Sequence, residues 1–357
     1  MRIRPLLVKE LIWSKRNVLA LIVLLVAVPA VFAGASVGFQ TVIPTDMPIG
    51  VVGAGENVTT DDLTITEGAV TFFSDPVRYG SKQAALDDLR REQVYAVLEV
   101  PPNVGTQSAE PLEFTLHVDG SLVPFRETSK VITNNLNARL SDSLPIDVRV
   151  SRTVVEPTHT LPEYLIPLLL FGVVALFAFT FVPYNLASER AALDRIRTES
   201  SLEALAIAKL AFFTALMGVP VAVFWLAIGH FGYDIDVLAP GALAALLLSF
   251  LLMATVAMAI MFLTRFSTSG RFVNVILLFG LFAFGGLIYP VGFFSSIRRA
   301  IARLLPVHYG MIVLRSAMLK DVPLDLFAEW IAGLLALVVL AGVGLELTIV
   351  SYRRRST

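Results

Sequence analysis

The chain has 357 residues, of which 56% are hydrophobic, 16% are charged and none is cysteine. Ordinary soluble domains are about 45–50% apolar, and the excess here is gathered in blocks of about 20 residues, the length that crosses a bilayer core; a wholly soluble protein is excluded, and without cysteine so are disulfides and thiolate metal sites. The net charge of −1 hides a division: residues 40–160 hold 17 acidic and 9 basic side chains, a net of −8, and the remainder holds 12 and 19, a net of +7. An acidic, soluble-looking insert therefore sits within a basic membrane part. His117, His159, His230 and His308 form no ligand-spaced pair, so no metal site is expected.

Taken in chain order, residues 1–17 place Ile3, Leu6, Leu7 and Leu11 on one helical face, with Arg2, Arg4, Lys9 and Lys15 largely elsewhere. That is the pattern of an amphipathic helix lying in the interface, with Trp13 at headgroup level. Residues 18–38 make a first span. A signal peptide is the alternative, since Ala33-Gly34-Ala35 has the A-x-A cleavage form; the long amphipathic leader, and apolar or small residues continuing to Phe39, favour an uncleaved span.

Residues 39–161 read as a small α+β domain. PIGVVGAG and VYAVLEVPPNV look like strands, and LEFTLHVDG alternates before the turn signal Asp119-Gly120. SKQAALDDLRREQ is helical with Ala84, Leu86 and Leu89 inward. VPFRETSKVITNNLNARLSD is a second helix, and DVRVSRTVVEP closes the domain. Asn57-Val58-Thr59 permits N-glycosylation without requiring it.

Residues 162–357 hold five further spans, at 164–183, 204–229, 239–263, 272–291 and 327–350. Basic residues cluster at the N-terminus, in the 184–203 loop (Arg190, Arg195, Arg197), after the fourth span (Arg265, Arg271) and in SYRRRST. With six spans all four clusters share one side, which the positive-inside rule makes cytoplasmic, with residues 39–161 outside the cell. The 292–322 region breaks that rule, carrying Arg298, Arg299, Arg303, Arg315 and Lys320 on the outer side. Its apolar pieces are too short to span and are cut by Pro306, so a pair of re-entrant or interfacial helices is expected. A cytoplasmic 295–325 is the alternative, and the basic C-terminus, one span later, argues against it. The expected fold is an α-helical membrane protein of six transmembrane helices, with re-entrant helices before the last and an α+β extracellular domain between spans 1 and 2.

The stretch SERAALDRIRTESSLEALAIAKL, residues 188–210, sets charges between two apolar spans. Ser200 and Glu203 have capping-box spacing. From Glu189 to Arg197, Leu193 and Ile196 share one side, while Glu189, Arg190, Asp194, Arg195 and Arg197 decorate the rest. A short helix across the base of the membrane, or a solvated connector with weak i,i+4 pairs, both satisfy this pattern. Within the spans, Asn274 and Glu346 are candidate intramembrane polar residues. Asn274 suits interhelical hydrogen bonding, and Glu346, near the cytoplasmic end, suits snorkelling or pairing more than ion coupling. Gly34-Ala35-Ser36-Val37-Gly38 matches the G-x-S-x-G nucleophile string but ends a hydrophobic span instead of forming a strand-to-helix elbow.

The 188–210 stretch resembles the cytoplasmic loop of ATP-binding cassette (ABC) type-2 permeases. Glu189-Arg190 matches the acidic-basic pair, Leu193-Asp194-Arg195-Ile196 the centre and Lys209-Leu210 the end. Ala191-Ala192 stands for the usual Gly-Thr, Glu199 lies near the usual Pro, and Ala208 stands for Gly. Residues 285–319 are similar to the family's external re-entrant region through Gly286-Leu287-Ile288-Tyr289-Pro290, Leu305-Pro306, Tyr309 and Arg315. The long insert resembles the external domain of the subgroup with a long first loop, so the likeness runs in order along almost the whole chain.

The resemblance implies a coupling helix seated in a cleft of an ATPase subunit. Glu189, Arg190, Asp194, Arg195 and Arg197 would make the polar contacts, and Leu193 and Ile196 would pack. Gly286, Tyr289, Pro290, Pro306, Tyr309 and Arg315 would belong to the re-entrant, translocation region. No lysine here follows the G-x-x-x-x-G-K-[ST] pattern, so ATP and Mg would be bound by a separate ATPase subunit, with no cofactor in this chain. A homodimer, or a heterodimer with a similar permease, would form the path in the lipid bilayer of the cell membrane, with no role for nucleic acid and no enzymatic activity of the chain itself. An amphipathic or lipid-like cargo is expected. Sodium or another cation, a non-transporting receptor or scaffold, and a hydrolase using Ser36 are the alternatives.

Overall fold

A computed structural model describes residues 15, 47–71, 74–104, 111–143, 147–192, 201–287, 289–320 and 322–356. The expected interfacial helix and first span therefore lie outside the described residues, apart from Lys15. Strands β1 (Met47–Gly53), β2 (Ser74–Arg78), β3 (Ala96–Val100), β4 (Leu112–Val118) and β5 (Val148–Val154) form one sheet in the order β2-β1-β3-β4-β5. Only the β3–β4 pair is antiparallel. Each parallel neighbour needs a crossover. Helix α1 (Thr60–Val70) links β1 to β2, α2 (Lys82–Arg90) links β2 to β3, and α3 (Phe125–Ser143) links β4 to β5.

Alternation along β1 divides the sheet's two faces. Ile49 and Val51 join Leu98, Phe114 and Leu116 in the larger core. Val52 and Val97 pack on the other face with Ala85 and Leu89 of α2. Strand β1 is buried nearly throughout, as a parallel strand covered on both faces should be. In α2 the inward residue is Ala85 and not Ala84, which is exposed. Ser81 caps the helix, and Ala85 and Leu89, one turn apart, make the buried stripe.

Helix α1 and strand β2 were not anticipated from sequence. Thr59 caps α1, and Asp62 returns bonds to the Thr59 backbone N–H at 2.9 Å and hydroxyl at 2.8 Å. Asp62 also accepts from the Val104 N–H at 2.8 Å. Burial works against the Asp62 carboxylate, but these donors outweigh it and hold its pKa below the ordinary value. The threonine of the Asn57-Val58-Thr59 sequon is thus a helix cap.

The remaining elements are helical. Among the described residues four stretches are long and apolar enough to cross a membrane: Leu161–Ser188, Leu202–Phe231, Pro240–Leu263 and Leu324–Arg354. The first comprises α4 (Leu161–Leu176), a π-helical turn (Phe177–Phe181) and α5 (Val182–Ser188). The second comprises α6 (Leu202–Leu216) and α7 (Gly218–Phe231), broken at Met217. Pro220 has no N–H to bond the Leu216 carbonyl, which accounts for the break. The third is α8 (Pro240–Leu263), and α12 (Ala328–Ser356) forms most of the fourth. Helix α8 is the hub of the bundle, packing on α4, α5, α6, α9, α11 and α12.

Helix α9 (Thr268–Phe284) is shorter than the span expected at 272–291. Its 17 residues cover about 25 Å at ~1.5 Å per residue. It stops because the backbone turns at Gly285-Gly286, with Gly286 at φ +70°. After a 3₁₀ turn at Val291–Phe293 come two short helices, α10 (Ser296–Leu304) and α11 (Pro306–Leu319).

Candidate functional site

Helices α10 and α11 meet at Leu305-Pro306. Proline suits the first turn of a helix, where its missing N–H has no partner to lose, and the extended Leu305 forces a sharp corner. Tyr309 braces that corner: its hydroxyl donates to the Arg303 carbonyl at 2.9 Å, and its ring meets Trp330 of α12 at 5.1 Å. Tyr289 is partly exposed beside Phe293, 6.3 Å between ring centroids, and Pro290 caps the 3₁₀ turn. In α10 two of the arginines turn inward. Arg298 donates to the Ala283 carbonyl and lies 3.7 Å over the Phe294 ring. Arg299 donates to the Phe294 carbonyl at 3.3 Å.

Arg315 organises the site. It is 1% exposed, and donates to the Tyr164 hydroxyl at 2.8 Å and to the Gly286 carbonyl at 3.4 Å. Its Nε stands 3.6 Å from the Glu92 carboxylate. Glu92 belongs to the sheet domain, follows α2 and holds a φ of +56°, an uncommon conformation for a side chain of its size. A second buried pair lies nearby. Lys320, just past α11, reaches Asp119 of the sheet domain at 2.7 Å, with both side chains fully buried, and Lys320 also donates to the Arg90 carbonyl at 2.9 Å. The other oxygen of Asp119 accepts from the Ser121 backbone at 2.8 Å and hydroxyl at 2.6 Å.

Further ties complete the junction. The His159 ring bonds the Leu319 carbonyl at 2.6 Å, and Arg91 donates to the Leu326 carbonyl at 3.0 Å. A side chain at Gly292 would run into the Tyr95 ring, so bare backbone is needed there. Two cations of the membrane part thus meet two anions of the sheet domain out of contact with water. An isolated buried charge is very costly, and pairing with hydrogen bonding offsets that cost. Gly286 and Arg315 are brought together. Pro306 and Tyr309 stand on the other flank of α11, against α12.

Sequence reasoning reached Arg315 but missed Glu92, Asp119, Tyr164 and the pairing of Lys320. The available signal was electrostatic: a basic segment breaking the charge rule, and an insert with a net of −8. Each is in part the other's partner.

At the opposite end of the bundle, Glu189 and Lys209 form an ion pair at 2.6 Å, and Lys209 also donates to Asn185. These two residues bracket the 188–210 motif, so its ends are held together. Arg190 is exposed. Leu193, Asp194, Arg195, Ile196 and Arg197 lie outside the described residues. The cap of α6 is Ser201, whose hydroxyl accepts from the Ala204 N–H at 3.0 Å, and not Ser200. The Glu203 carboxylate pairs with Arg353 of α12, and Ser200 lies outside the described residues. Asn274 is fully buried and donates to the Ala257 carbonyl of α8 at 3.3 Å and to the Gly270 carbonyl of α9 at 3.0 Å. Glu346 is exposed on α12. Among the described residues no group of three or more His, Asp or Glu could hold a metal ion.

The chain was compared with known proteins. A family model described as ABC-2 family transporter protein matches residues 18–345. No curated protein and no solved structure gives a match. The matched range takes in the sheet domain, the 188–210 motif, the α10–α11 corner and most of α12. The chain belongs to the ABC-2 transporter family and is a multi-pass membrane permease of an ABC transporter.

Proposed function

We propose that this permease is the membrane half of an exporter that moves an amphipathic or lipid-like substrate out of the cell. ATP and Mg are bound and hydrolysed in a separate ATPase subunit, and this chain carries no catalysis of its own. Two copies, or this chain and a similar permease, enclose the path. The chain lies in the plasma membrane with both termini cytoplasmic, the sheet domain and the α10–α11 corner on the outer side, and the 184–203 loop on the ATPase. The observation that carries this reading is the family match over residues 18–345. The Glu189–Lys209 pair supports the role of the loop, since it fixes the loop to the middle of α6, and movement imposed there passes directly to a spanning helix.

The test is co-purification from native membranes in mild detergent, followed by transport in vesicles. A subunit bearing a Walker-A loop is expected to accompany the chain. The double change Glu189→Ala with Arg190→Ala should leave insertion intact and lower ATP-driven transport at least tenfold. Transport at the wild-type rate would remove the loop from the coupling path. A preparation without an ATPase, even after crosslinking, would overturn the exporter reading.

A further inference from the structure

An apolar cavity of about 380 Å³ lies beside the π-helical turn. The turn contributes Phe179, α8 contributes Leu252 and Val256, α9 contributes Gly280, and the α10–α11 corner contributes Ile301 and Pro306. Every other lining residue is also apolar, so the wall offers no charged or hydrogen-bonding side chain. The size falls within the ~300–1,000 Å³ of small-molecule sites. Water is a poor occupant, because a bound water needs two to four polar partners.

The cavity opens on the side of the bundle, where Leu277 and Ile301 are each 39% exposed. For a membrane permease that side meets hydrocarbon. Two features fit an entering chain from that direction. A π-turn is a local irregularity that recurs at functional sites, and here it delivers Phe179 to the wall. Gly280 costs α9 helical stability relative to alanine, yet among the described residues no atom beyond its own turn of helix lies within 4 Å of where its Cβ would stand. Close packing does not require a glycine there, and its bareness leaves the cavity open.

We propose that this cavity is a binding site for one acyl chain of a bilayer phospholipid, entering sideways from the bilayer between α9 and the α10–α11 corner. This goes beyond the export reading, since it concerns a lipid held by the permease whether or not that lipid is cargo.

The experiment uses the full-length protein in phosphatidylcholine vesicles doped with a phosphatidylglycerol whose acyl chain ends in a diazirine. After irradiation, digestion and mass spectrometry, adducts are expected on peptides covering 276–284 and 301–307. Gly280→Phe, which grows into open space, should lower those adducts at least tenfold, whereas Gly280→Ala should retain most of them. Val256→Phe fills the cavity from the facing helix and gives the same reading should Gly280→Phe fold poorly. Adducts unchanged by both phenylalanine variants would overturn the proposal. So would a photoreactive residue at Ile301 that links to residues 18–38 of the same chain instead of lipid, since the chain would then cover its own cavity. Transport assayed on the same variants separates the two readings. Lost adducts with intact export leave a lipid site distinct from the cargo. Intact adducts in both variants with lost export overturn the lipid site alone.

Discussion

Arg315 and Glu92 come from opposite ends of the sequence and share one buried contact, 3.6 Å apart. Among the described residues the Glu92 carboxylate has no hydrogen-bond partner, and Arg315 is the cation paired with it. Removing one member of such a pair costs about 3–5 kcal/mol, because the other charge is left uncompensated, while removing both is often close to neutral. Arg315→Met should therefore lower the unfolding midpoint of the detergent-solubilised permease sharply. Adding Glu92→Gln should recover most of the loss. A double variant no more stable than Arg315→Met would show that the Tyr164 and Gly286 bonds, and not the ion pair, account for the role of Arg315. Arg315 was legible in sequence because it follows Leu305-Pro306 and Tyr309 in the stretch that resembles the re-entrant region of ABC type-2 permeases. Glu92 was not, because nothing local distinguishes it from the other charges that close α2.

Elements were legible where their apolar residues kept a period. Strands β1, β3, β4 and β5 and helices α2 and α3 overlap the segments read for the insert, with β1 starting one residue earlier and α3 ending one residue later. Helix α1 escaped because its buried face is Asp62, Thr66 and Val70, a helical period written mostly in polar residues. The long spans were plain, but their ends were not. The run of apolar residues past Phe284 suggested a longer helix, whereas the Gly285-Gly286 turn ends α9 there. Packing between the spans was also hidden. A Cβ added at Gly310 of α11 would overlap the Ser249 hydroxyl oxygen of α8, so these two helices meet through a glycine and a serine, as small-residue interfaces in membranes do. Gly310→Ala should cost about 1–3 kcal/mol as an overpacked contact. Combining it with Ser249→Gly returns the displaced volume to the facing helix and should restore most of the stability, read as the thermal midpoint in detergent. No recovery would place the need for glycine in the α11 backbone instead.

At the scale of the molecule, the charge division along the sequence becomes a physical junction. The acidic insert carries Glu92 and Asp119, the basic membrane part carries Arg315 and Lys320, and both pairs close where the sheet domain meets α11. Drawing the domain away from α11 would leave four charges to be solvated anew and would break the bonds to the Arg90, Leu319 and Leu326 carbonyls. The sheet domain and α11 should accordingly move as one body during transport, with conformational change taken up elsewhere in the bundle. The absence of native cysteine makes this directly measurable. With Asp119→Cys and Lys320→Cys, a short reversible dithiol crosslinker would tie the domain to the end of α11 without background labelling. The substitutions remove one ion pair completely, so the uncrosslinked double variant is the reference. ATP-driven transport after crosslinking should match that reference. A loss of transport restored by reductant would mean that the domain lifts from α11 in each cycle, and that the buried pairs are a latch and not a weld.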